Sequence, residues 1–345
     1  MKVLFTGADG YIGALLGTYL LDRGIEAVGL DTGYYREGWL YPMPGARPKV
    51  ITKDIRHITV EDLTGFDAIA HLAELSNDPL GQQNPGLTHQ INHQGSVDLA
   101  NMARQAGVDR FVYMSSCSVY GVGEPDQVMD ETSPVNPQTA YAECKVNVER
   151  DVRPMAGDKG FAPCFLRNAT AYGASPRQRF DIVLNDLCGL AWTTKEIRLL
   201  SDGSPWRPLV HALDMCQAVH LSLIAPTEQI SGQIFNVGSS GQNYKVIEIA
   251  QIVADEFPGC ELLVGEPGGD NRSYRVNFDR IQKVLPDFEC QWTAKKGAQQ
   301  MHELFKRMDL SEEVFKAPPY TRIKMLLKHK ASGLLNDDLY WTLPA

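Results

Sequence analysis

The sequence lacks three features that would each assign it to a well-defined class of protein. Its 7 cysteines are scattered and form no CxxC pair, so neither a disulfide framework nor a zinc site is predicted, and no metal is expected. No apolar run approaches the roughly 18 residues that span a bilayer. The net charge of −9 argues against a nucleic-acid binder, whose affinity depends on a basic surface. These absences predict a cytoplasmic protein with no integral membrane segment and no nucleic-acid partner.

What is present is an ordinary globular composition, with 43% hydrophobic and 22% charged residues, in a chain of 345 residues. Short apolar or β-branched runs alternate with amphipathic stretches, which is typical of parallel strands joined by right-handed crossovers. The predicted fold class is α/β, a doubly wound parallel (Rossmann) sheet with a smaller α+β C-terminal substrate lobe. Strands are predicted at Lys2–Thr6, Ala27–Leu30, from Val50, at Ala68–Leu72, Phe111–Ser115, Phe165–Arg167 and Gln233–Val237, and helices at Tyr11–Arg23, Gln90–Ala106 and Val246–Phe257.

A change of rhythm after about residue 165 predicts a division into lobes, because Pro- and Gly-rich loops and isolated helices replace the regular alternation. The predicted dinucleotide-binding domain comprises residues 1–165 and about 205–237, the substrate-binding lobe about 166–204 and 238–305, and a C-terminal extension 306–345. Residues 316–330 of the extension are basic and amphipathic. They are expected to form a helix that caps a neighbouring lobe or subunit, the alternative being a helix that docks on a membrane surface.

A glycine-rich segment, TGADGYIG at 6–13, lies between the first predicted strand and the first predicted helix. Gly7 and Gly10 allow a tight turn and a close approach of the backbone to a pyrophosphate, and Gly13 allows the helix to pack against the sheet. The start of that helix offers free N–H groups to the anion. The segment therefore predicts a dinucleotide site, with Tyr11 and Ile12 among its contacts.

Asp31 follows the second predicted strand. A carboxylate there accepts hydrogen bonds from the adenosine ribose and repels a 2′-phosphate, which favours NAD over NADP. Arg36 nearby keeps NADP open as an alternative. Asp54 and Ile55, after the third strand, are placed beside the adenine ring, although an acidic residue in a plain loop is nearly as good an interpretation.

Ser116, Tyr141 and Lys145 form the constellation with the clearest chemistry. Tyr141 and Lys145 are spaced i, i+4, so a helix places them on one face. The ammonium group is expected to lower the pKa of the phenol, which then acts as a general base. Ser116 follows the fifth strand at the edge of the sheet where doubly wound folds bind ligands, so its hydroxyl can hold a substrate oxygen.

With these residues in place, the chain resembles an extended short-chain dehydrogenase/reductase of the NAD-dependent epimerase/dehydratase family, which mostly modifies nucleotide sugars. The resemblance covers about residues 1–285. It is carried by TGADGYIG at 6–13, Asp31, HLA at 71–73, Ile91-Asn92, SSCSVYG at 115–121, YAECK at 141–145, LR at 166–167, YG at 172–173, WRPLVH at 206–211 and FNVG at 235–238.

The resemblance implies roles for individual residues. Ser116, Tyr141 and Lys145 take the catalytic roles, and Leu72 and Ala73 of the HLA segment contact the cofactor. The implied substrate contacts are Ser76 and Asn77 in the sugar pocket, Arg207 on the substrate diphosphate, Arg272 or Arg275 as a second arginine, and Asn185.

Two departures from the family pattern bear on the reaction. Where the 4,6-dehydratases carry Thr-Asp-Glu, this chain reads Ser116-Cys117-Ser118, so it lacks the acid pair that drives water elimination. Epimerases usually carry Asn at the position of Thr170, so the substrate contacts differ here.

The function predicted from the sequence is that of an NAD-dependent nucleotide-sugar epimerase, which oxidises a secondary alcohol of the sugar, at C4, and reduces the ketone again. The alternative is an NAD(P)H-dependent ketoreductase of a 4-keto-6-deoxy nucleotide sugar; a 4,6-dehydratase and a cofactor-sensing regulator on an inactive dehydrogenase fold fit less well. A homodimer is expected through a four-helix bundle of the helices near 90–106 and 138–153. Its predicted outward faces contain Val97, Ala100, Val146 and Val148.

Overall fold

The computed structural model describes residues 1–76, 78–124, 127–268 and 272–342, and for residues 78–80 the backbone alone. The strands are β1 (Lys2–Thr6), β2 (Glu26–Asp31), β3 (Lys49–Thr52), β4 (Ala68–His71), β5 (Arg110–Ser116), β6 (Val128–Met129), β7 (Ala162–Asn168), β8 (Thr170–Tyr172), β9 (Glu196–Arg198), β10 (Trp206–His211), β11 (Gln233–Val237), β12 (Asn243–Lys245), β13 (Glu261–Leu263) and β14 (Arg275–Val276). The α-helices are α1 (Gly13–Leu21), α2 (Val60–Leu63), α3 (Asp78–Gln83), α4 (Pro85–Thr88), α5 (Gly95–Gln105), α6 (Ala140–Val152), α7 (Val183–Thr193), α8 (Ala212–Ile224), α9 (Thr227–Ile230), α10 (Val246–Glu256), α11 (Asp279–Val284), α12 (Ala294–Met308), α13 (Glu312–Lys316) and α14 (Arg322–Ala331).

Seven parallel strands form the main sheet, in the order β11-β7-β5-β4-β1-β2-β3. The chain moves outward from β1 through β2 to β3 and then returns to place β4 on the other side of β1. The crevice between the carboxyl ends of β1 and β4 is therefore the switch point at which doubly wound folds bind ligands. The predicted α/β fold class is confirmed.

The burial of the central strands explains why they read as continuous apolar runs. Every residue of β4 and of β7 is buried, because helices cover both faces of the sheet. The predicted strands are confirmed, with ends that differ by at most three residues.

The helix predicted over Gln90–Ala106 is two segments, a π-helical stretch at His89–Gln94 followed by α5. Asn92 lies in the first segment, where its side chain accepts a hydrogen bond from the main-chain N–H of Leu75 at 2.8 Å and donates one to the Leu75 carbonyl at 3.0 Å. A wide helical turn of this kind is frequent at functional sites. Here it fixes the loop that follows β4 and forms one wall of the cavity described below.

The second part of the chain builds a separate core around α7, α10 and α12, with small sheets in the orders β12-β10-β8 and β13-β9. Met325 and Leu326 of α14, in the C-terminal extension, are buried, and Leu326 belongs to the hydrophobic cluster that contains Leu30 of β2 and Tyr34. Beyond α14, the indole Nε1 of Trp341 donates to the carbonyl of Thr32 at 2.7 Å. The structure thus gives this helix the capping position, against the loop that follows β2.

One prediction about the surface is wrong. Ala100 and Val148, expected on outward helix faces, are 0% exposed within the single chain, because both pack into the core beneath α5 and α6. Val97 and Val146 are partly buried. In the described part of the chain, no helix has the length and apolar character needed to cross a membrane.

Candidate active site

A cavity of about 630 Å³ opens at the carboxyl edge of the main sheet. It brings together most of the residues predicted from the sequence. Those that line it are Gly7, Gly10, Tyr11, Ile12, Gly13, Asp31, Asp54, Ile55, Leu72, Ala73, Ser76, Ser116, Tyr141, Lys145, Arg207 and Arg272.

The glycine-rich turn forms one end of the cavity and is too crowded for side chains. Gly7 has φ +75°, and its N–H donates to the carbonyl of Leu30 at 2.8 Å. A Cβ on Gly13 would lie 2.0 Å from the Gly7 carbonyl oxygen, and a Cβ on Gly10 would lie 2.9 Å from the same atom. The turn is therefore a cradle of bare backbone at the start of α1, which suits a pyrophosphate.

Asp31 ends β2 beside this turn and is buried. One carboxylate oxygen accepts from the N–H of Gly33 at 2.7 Å and the other from the N–H of Asp9 at 3.0 Å. Burial raises the pKa of Asp31 above its ordinary value, and the two backbone donors oppose that rise. The Arg36 side chain donates hydrogen bonds to Asp9 at 3.3 Å and to Thr52 at 2.7 Å.

Helix α6 presents Tyr141 and Lys145 to the cavity one turn apart. The helix begins after Thr139, whose hydroxyl accepts from the N–H of Ala142 at 3.2 Å. The Lys145 Nζ lies 5.3 Å from the centre of the Tyr141 ring. Ser116 ends β5 in the same cavity, and its hydroxyl accepts from the N–H of Ser118 at 3.1 Å. The predicted hydroxyl, phenol and ammonium groups therefore share one wall.

An acidic residue that was not predicted as a functional residue lies beside them. The Glu74 Oε2 is 2.6 Å from the Nζ of Lys145, and the Tyr113 hydroxyl donates to Glu74 Oε1 at 2.6 Å. Nζ also donates to the carbonyl of Met114. Burial acts to lower the pKa of Lys145, but Glu74 and Tyr141 outweigh it, so the pKa stands above its ordinary value. Lys145 is thus held as a cation by a carboxylate on the loop after β4.

A second buried ion pair joins α6 to β7. Arg167 of β7 binds Glu149, one turn after Lys145, with its Nη2 2.6 Å from Oε2 and its Nε 3.0 Å from Oε1. Ser115 donates to the same carboxylate at 2.5 Å. A buried bidentate pair of this kind fixes geometry as well as charge. It sets the position of the catalytic helix relative to β5 and β7.

Two of the predicted arginines, Arg207 and Arg272, line the cavity. Arg207, in β10, donates to the carbonyl of Trp206 at 2.8 Å and also to that of Arg272, so the two arginines lie side by side. Arg275 does not line the cavity and stacks on the Trp206 ring at 5.2 Å. Of the two alternatives for a second arginine, the structure therefore brings Arg272 to the site.

Asn185 lies away from the cavity wall. It is 0% exposed, its Oδ1 accepts from the N–H of Gly173 at 2.9 Å, and its Nδ2 donates to the carbonyl of Arg179 at 3.0 Å. These contacts do not support the predicted contact with a nucleotide sugar, because they use the amide to hold the backbone of the substrate lobe. Asn77, also predicted in the sugar pocket, lies outside the described residues.

The prediction from the sequence did not include several residues that line the cavity. Glu74 was noted as part of an unusual loop but not as the partner of Lys145. Arg179, Asp181 and Arg322 also line the cavity. Arg179 lies in a polar loop, and Arg322 lies in the extension beyond the family pattern, so no motif marks them.

The comparisons with known proteins agree with this geometry. The model of the NAD dependent epimerase/dehydratase family matches residues 3–238. A UDP-glucose 4-epimerase of Corynebacterium glutamicum is 27% identical over 288 residues, 77% of this chain and 82% of that protein. A 3-beta-hydroxysteroid dehydrogenase of Mycolicibacterium neoaurum is 30% identical over 267 residues, 73% of this chain and 69% of that protein. Among solved structures, MoeE5 in complex with UDP-glucose and NAD is 27% identical, with a TM-score of 0.77 over 90% of this chain and 100% of that one.

The fold and the cavity define a dinucleotide-dependent enzyme of the extended short-chain dehydrogenase/reductase type. The chain belongs to the NAD-dependent epimerase/dehydratase family. The bare glycine turn and Asp31 fit NAD, the cofactor of that family.

Proposed function

We propose that the protein is an NAD-dependent epimerase of a nucleotide-linked hexose, which oxidises a secondary alcohol of the sugar, at C4, and reduces the resulting ketone on its other face. The observation that carries the proposal is the meeting of Ser116, Tyr141 and Lys145 with the glycine turn and Arg207 in one cavity. Arg207 and Arg272 supply positive charge where a substrate diphosphate enters. A steroid has no anion for these groups, which favours a nucleotide sugar.

Each catalytic side chain has a defined task. Ser116 holds the substrate hydroxyl, and the Tyr141 phenolate accepts its proton as the carbon is oxidised. Bound NAD supplies the acceptor of the hydride and later its donor. Lys145 stabilises the phenolate by its charge, and Tyr141 returns the proton to the oxygen when the ketone is reduced. Because proton and hydride are both returned, the reaction has no net redox change.

The side chains after Ser116 favour epimerisation over water elimination. Cys117 is buried, donates its thiol to the carbonyl of Arg167 at 3.1 Å, and has a pKa well above the ordinary value because of burial. Ser118 carries a hydroxyl and no acid. Neither side chain can supply the acid and base that elimination needs at this position.

We also propose the domain division and the dimer predicted above. The dinucleotide-binding domain comprises residues 1–165 and about 205–237.

The dimer forms through α5 and α6, on which Val97 and Val146 are partly buried. The carboxylate–histidine contact between Asp151 of α6 and His93, 2.7 Å apart, holds this helix pair together. Sedimentation at micromolar concentration tests the dimer, and a monomer alone contradicts it.

The reaction is tested with purified protein and a panel of UDP-, dTDP-, GDP- and CDP-hexoses. An epimerase interconverts the two sugars without added NADH, whereas a ketoreductase consumes NADH stoichiometrically. Chromatography of the sugars released by mild acid identifies the carbon inverted. Stoichiometric NADH consumption on a 4-keto sugar, with no epimerisation of any hexose, would overturn the proposal.

A further inference from the structure

Two arginines outside the predicted site line the cavity near the glycine turn. Arg179 precedes α7, and Arg322 opens α14 in the C-terminal extension. Both are buried; Arg322 is 3% exposed and Arg179 is 9% exposed. A buried guanidinium without a counter-charge is costly, so each needs a partner.

One carboxylate, Asp181, contacts both residues, but it pairs with only one guanidinium. Its Oδ1 accepts from Arg179 Nε at 2.7 Å, while its Oδ2 accepts from the main-chain N–H of Arg322 at 3.1 Å. The Arg322 guanidinium stacks on Tyr35, with Cζ 3.9 Å from the ring centre. Among the contacts of the described residues, this guanidinium has no hydrogen bond and no ion pair.

Asp181 and Asp31 face Arg322 as counter-charges, but they act on it less strongly than Arg179 does, so the positive charge at this end of the cavity is only partly balanced. Burial, and then the nearby Arg179, lower the pKa of Arg322 to about 10. Arg322 still carries its charge near neutral pH, and an anion in the cavity would relieve both the burial cost and the repulsion.

The position of Arg179 and Arg322 in the cavity indicates which anion they bind. Tyr35, under Arg322, lies four residues after Asp31, and Arg177 beside Arg179 donates from Nε to the carbonyl of Asp9 in the glycine turn at 3.1 Å. In this fold the diphosphate of a dinucleotide lies at the glycine turn and the start of the first helix, and the carboxylate that ends the second strand binds the adenosine ribose, so an arginine between these two features can reach the diphosphate. Arg207 and Arg272 line the same cavity from the substrate lobe, so the cavity holds two arginine pairs for two diphosphates.

We propose that Arg322, together with Arg179, binds the diphosphate of NAD, so that the C-terminal extension completes the cofactor site. The proposal concerns cofactor binding and stands apart from the sugar reaction proposed above. The competing source of the same chemistry is the diphosphate of the nucleotide sugar, because Arg179 Nη1 lies 3.4 Å from the hydroxyl of Ser76.

The test measures binding of NAD⁺ and of UDP-glucose to cofactor-stripped protein by calorimetry at two ionic strengths. We expect Arg322→Met to weaken NAD⁺ binding by about tenfold or more, because a charge-assisted hydrogen bond is lost. Arg322→Lys keeps the charge and should recover part of the loss. The matched control is Lys324→Met, which removes an exposed cation from the same helix and should leave NAD⁺ binding unchanged.

Salt dependence separates a charge contact from a packing role. The NAD⁺ affinity of the parent protein should fall with ionic strength more steeply than that of Arg322→Met, since the variant has lost one cation facing the anion. Arg179→Met is the second variant, with the same expectations, should Arg322→Met fail to fold as judged by its melting temperature.

Three results would overturn the proposal. Unchanged NAD⁺ affinity in the folded variants shows that the arginines do not contact the cofactor. Weaker UDP-glucose binding with NAD⁺ binding retained assigns them to the nucleotide sugar. An equal loss of NAD⁺ affinity in Arg322→Met and Arg322→Lys, with the salt dependence of binding unchanged, shows that Arg322 acts by packing against Tyr35.

Discussion

The Nζ of Lys145 and the Oε2 of Glu74 lie 2.6 Å apart inside the catalytic cavity. The ammonium that is expected to stabilise the Tyr141 phenolate therefore acts together with a carboxylate that partly cancels its charge. Tyr113 completes the arrangement by donating to the other oxygen of Glu74. The electrostatic setting of Tyr141, the proposed general base, thus depends on a residue of the loop after β4.

Glu74→Gln is expected to move the acid limb of the pH–rate profile to lower pH. Removing the negative charge leaves the field of Lys145 unopposed, and this field favours the phenolate. The variant should also lose about 3–5 kcal/mol of unfolding free energy, because a buried cation loses its partner. Steady-state rates across pH and urea unfolding measure the two effects. Tyr113→Phe is the control, since it keeps the carboxylate and should keep the acid limb; an unmoved limb in Glu74→Gln contradicts the assignment.

Tyr141→Phe is expected to lower kcat by a factor of about 10² to 10⁴, the usual contribution of a general base. NAD⁺ affinity should change little, because the ring remains in place. The measurements are initial rates on the true substrate and calorimetry with NAD⁺. Tyr19→Phe, a tyrosine outside the lining of the cavity, serves as the control. Full turnover by the Tyr141 variant would remove Tyr141 from the catalytic role.

Gly13→Ala is expected to impair both folding stability and cofactor binding. The added Cβ would lie 2.0 Å from the Gly7 carbonyl oxygen, so the turn or α1 must shift. Overpacking of this kind costs about 1–3 kcal/mol. Thermal melting with and without NAD⁺ measures it. Gly241→Ala is the matched control, because a Cβ there meets nothing within 4 Å; equal melting temperatures of the two variants would show that the turn tolerates a side chain.

Asp31→Asn is expected to reduce the preference for NAD⁺ over NADP⁺. The carboxylate repels a 2′-phosphate, and Arg36, bonded to Asp9 and Thr52 nearby, can attract one. The ratio of the two dissociation constants is the readout, because a general loss of stability weakens both ligands alike. Asp54→Asn, at the residue predicted to lie beside the adenine ring, should leave the ratio unchanged. A ratio that does not move in Asp31→Asn contradicts the role given to this carboxylate.

Asp214 should make the fold more stable as the pH falls from 7 toward 5. Burial raises the pKa of Asp214 to about 6, although the N–H groups of Gln291 and Trp292 oppose the rise. In an unfolded chain the pKa is about 3.9, so between these pH values the folded protein holds a proton that the unfolded chain releases. The urea midpoint of unfolding is measured at pH 7 and at pH 5. On going from pH 7 to pH 5 the midpoint of the parent protein should rise relative to that of Asp214→Asn. Equal changes in the two proteins would contradict the raised pKa of Asp214.

The sequence predicted the parts of the site that depend on local pattern. The glycine turn and Asp31 lie at a fixed spacing within the first strand–helix–strand unit, and Tyr141 and Lys145 lie one turn apart on one helix, so local spacing places them. Ser116 follows from the rule that parallel strands present their carboxyl ends at one edge.

The rest of the site depends on contacts between distant segments. Glu74 meets Lys145 across 71 positions of the chain, and Arg322 reaches the cavity from an extension that no motif covers. Asn185 has the residue type of a ligand, but its backbone contacts fix it in the interior. Ala100 and Val148 show the same limit, since helical periodicity does not reveal which apolar face meets the sheet.

The anchoring of the extension onto the loop after β2 has a kinetic consequence. His329 Nε2 lies 2.8 Å from the carbonyl of Tyr34, and the Trp341 indole donates to the carbonyl of Thr32. The extension therefore holds the main chain of this loop at two points. Any outward movement of this loop therefore requires residues 322–342 to detach from it, so the loop moves only as fast as that local unfolding allows.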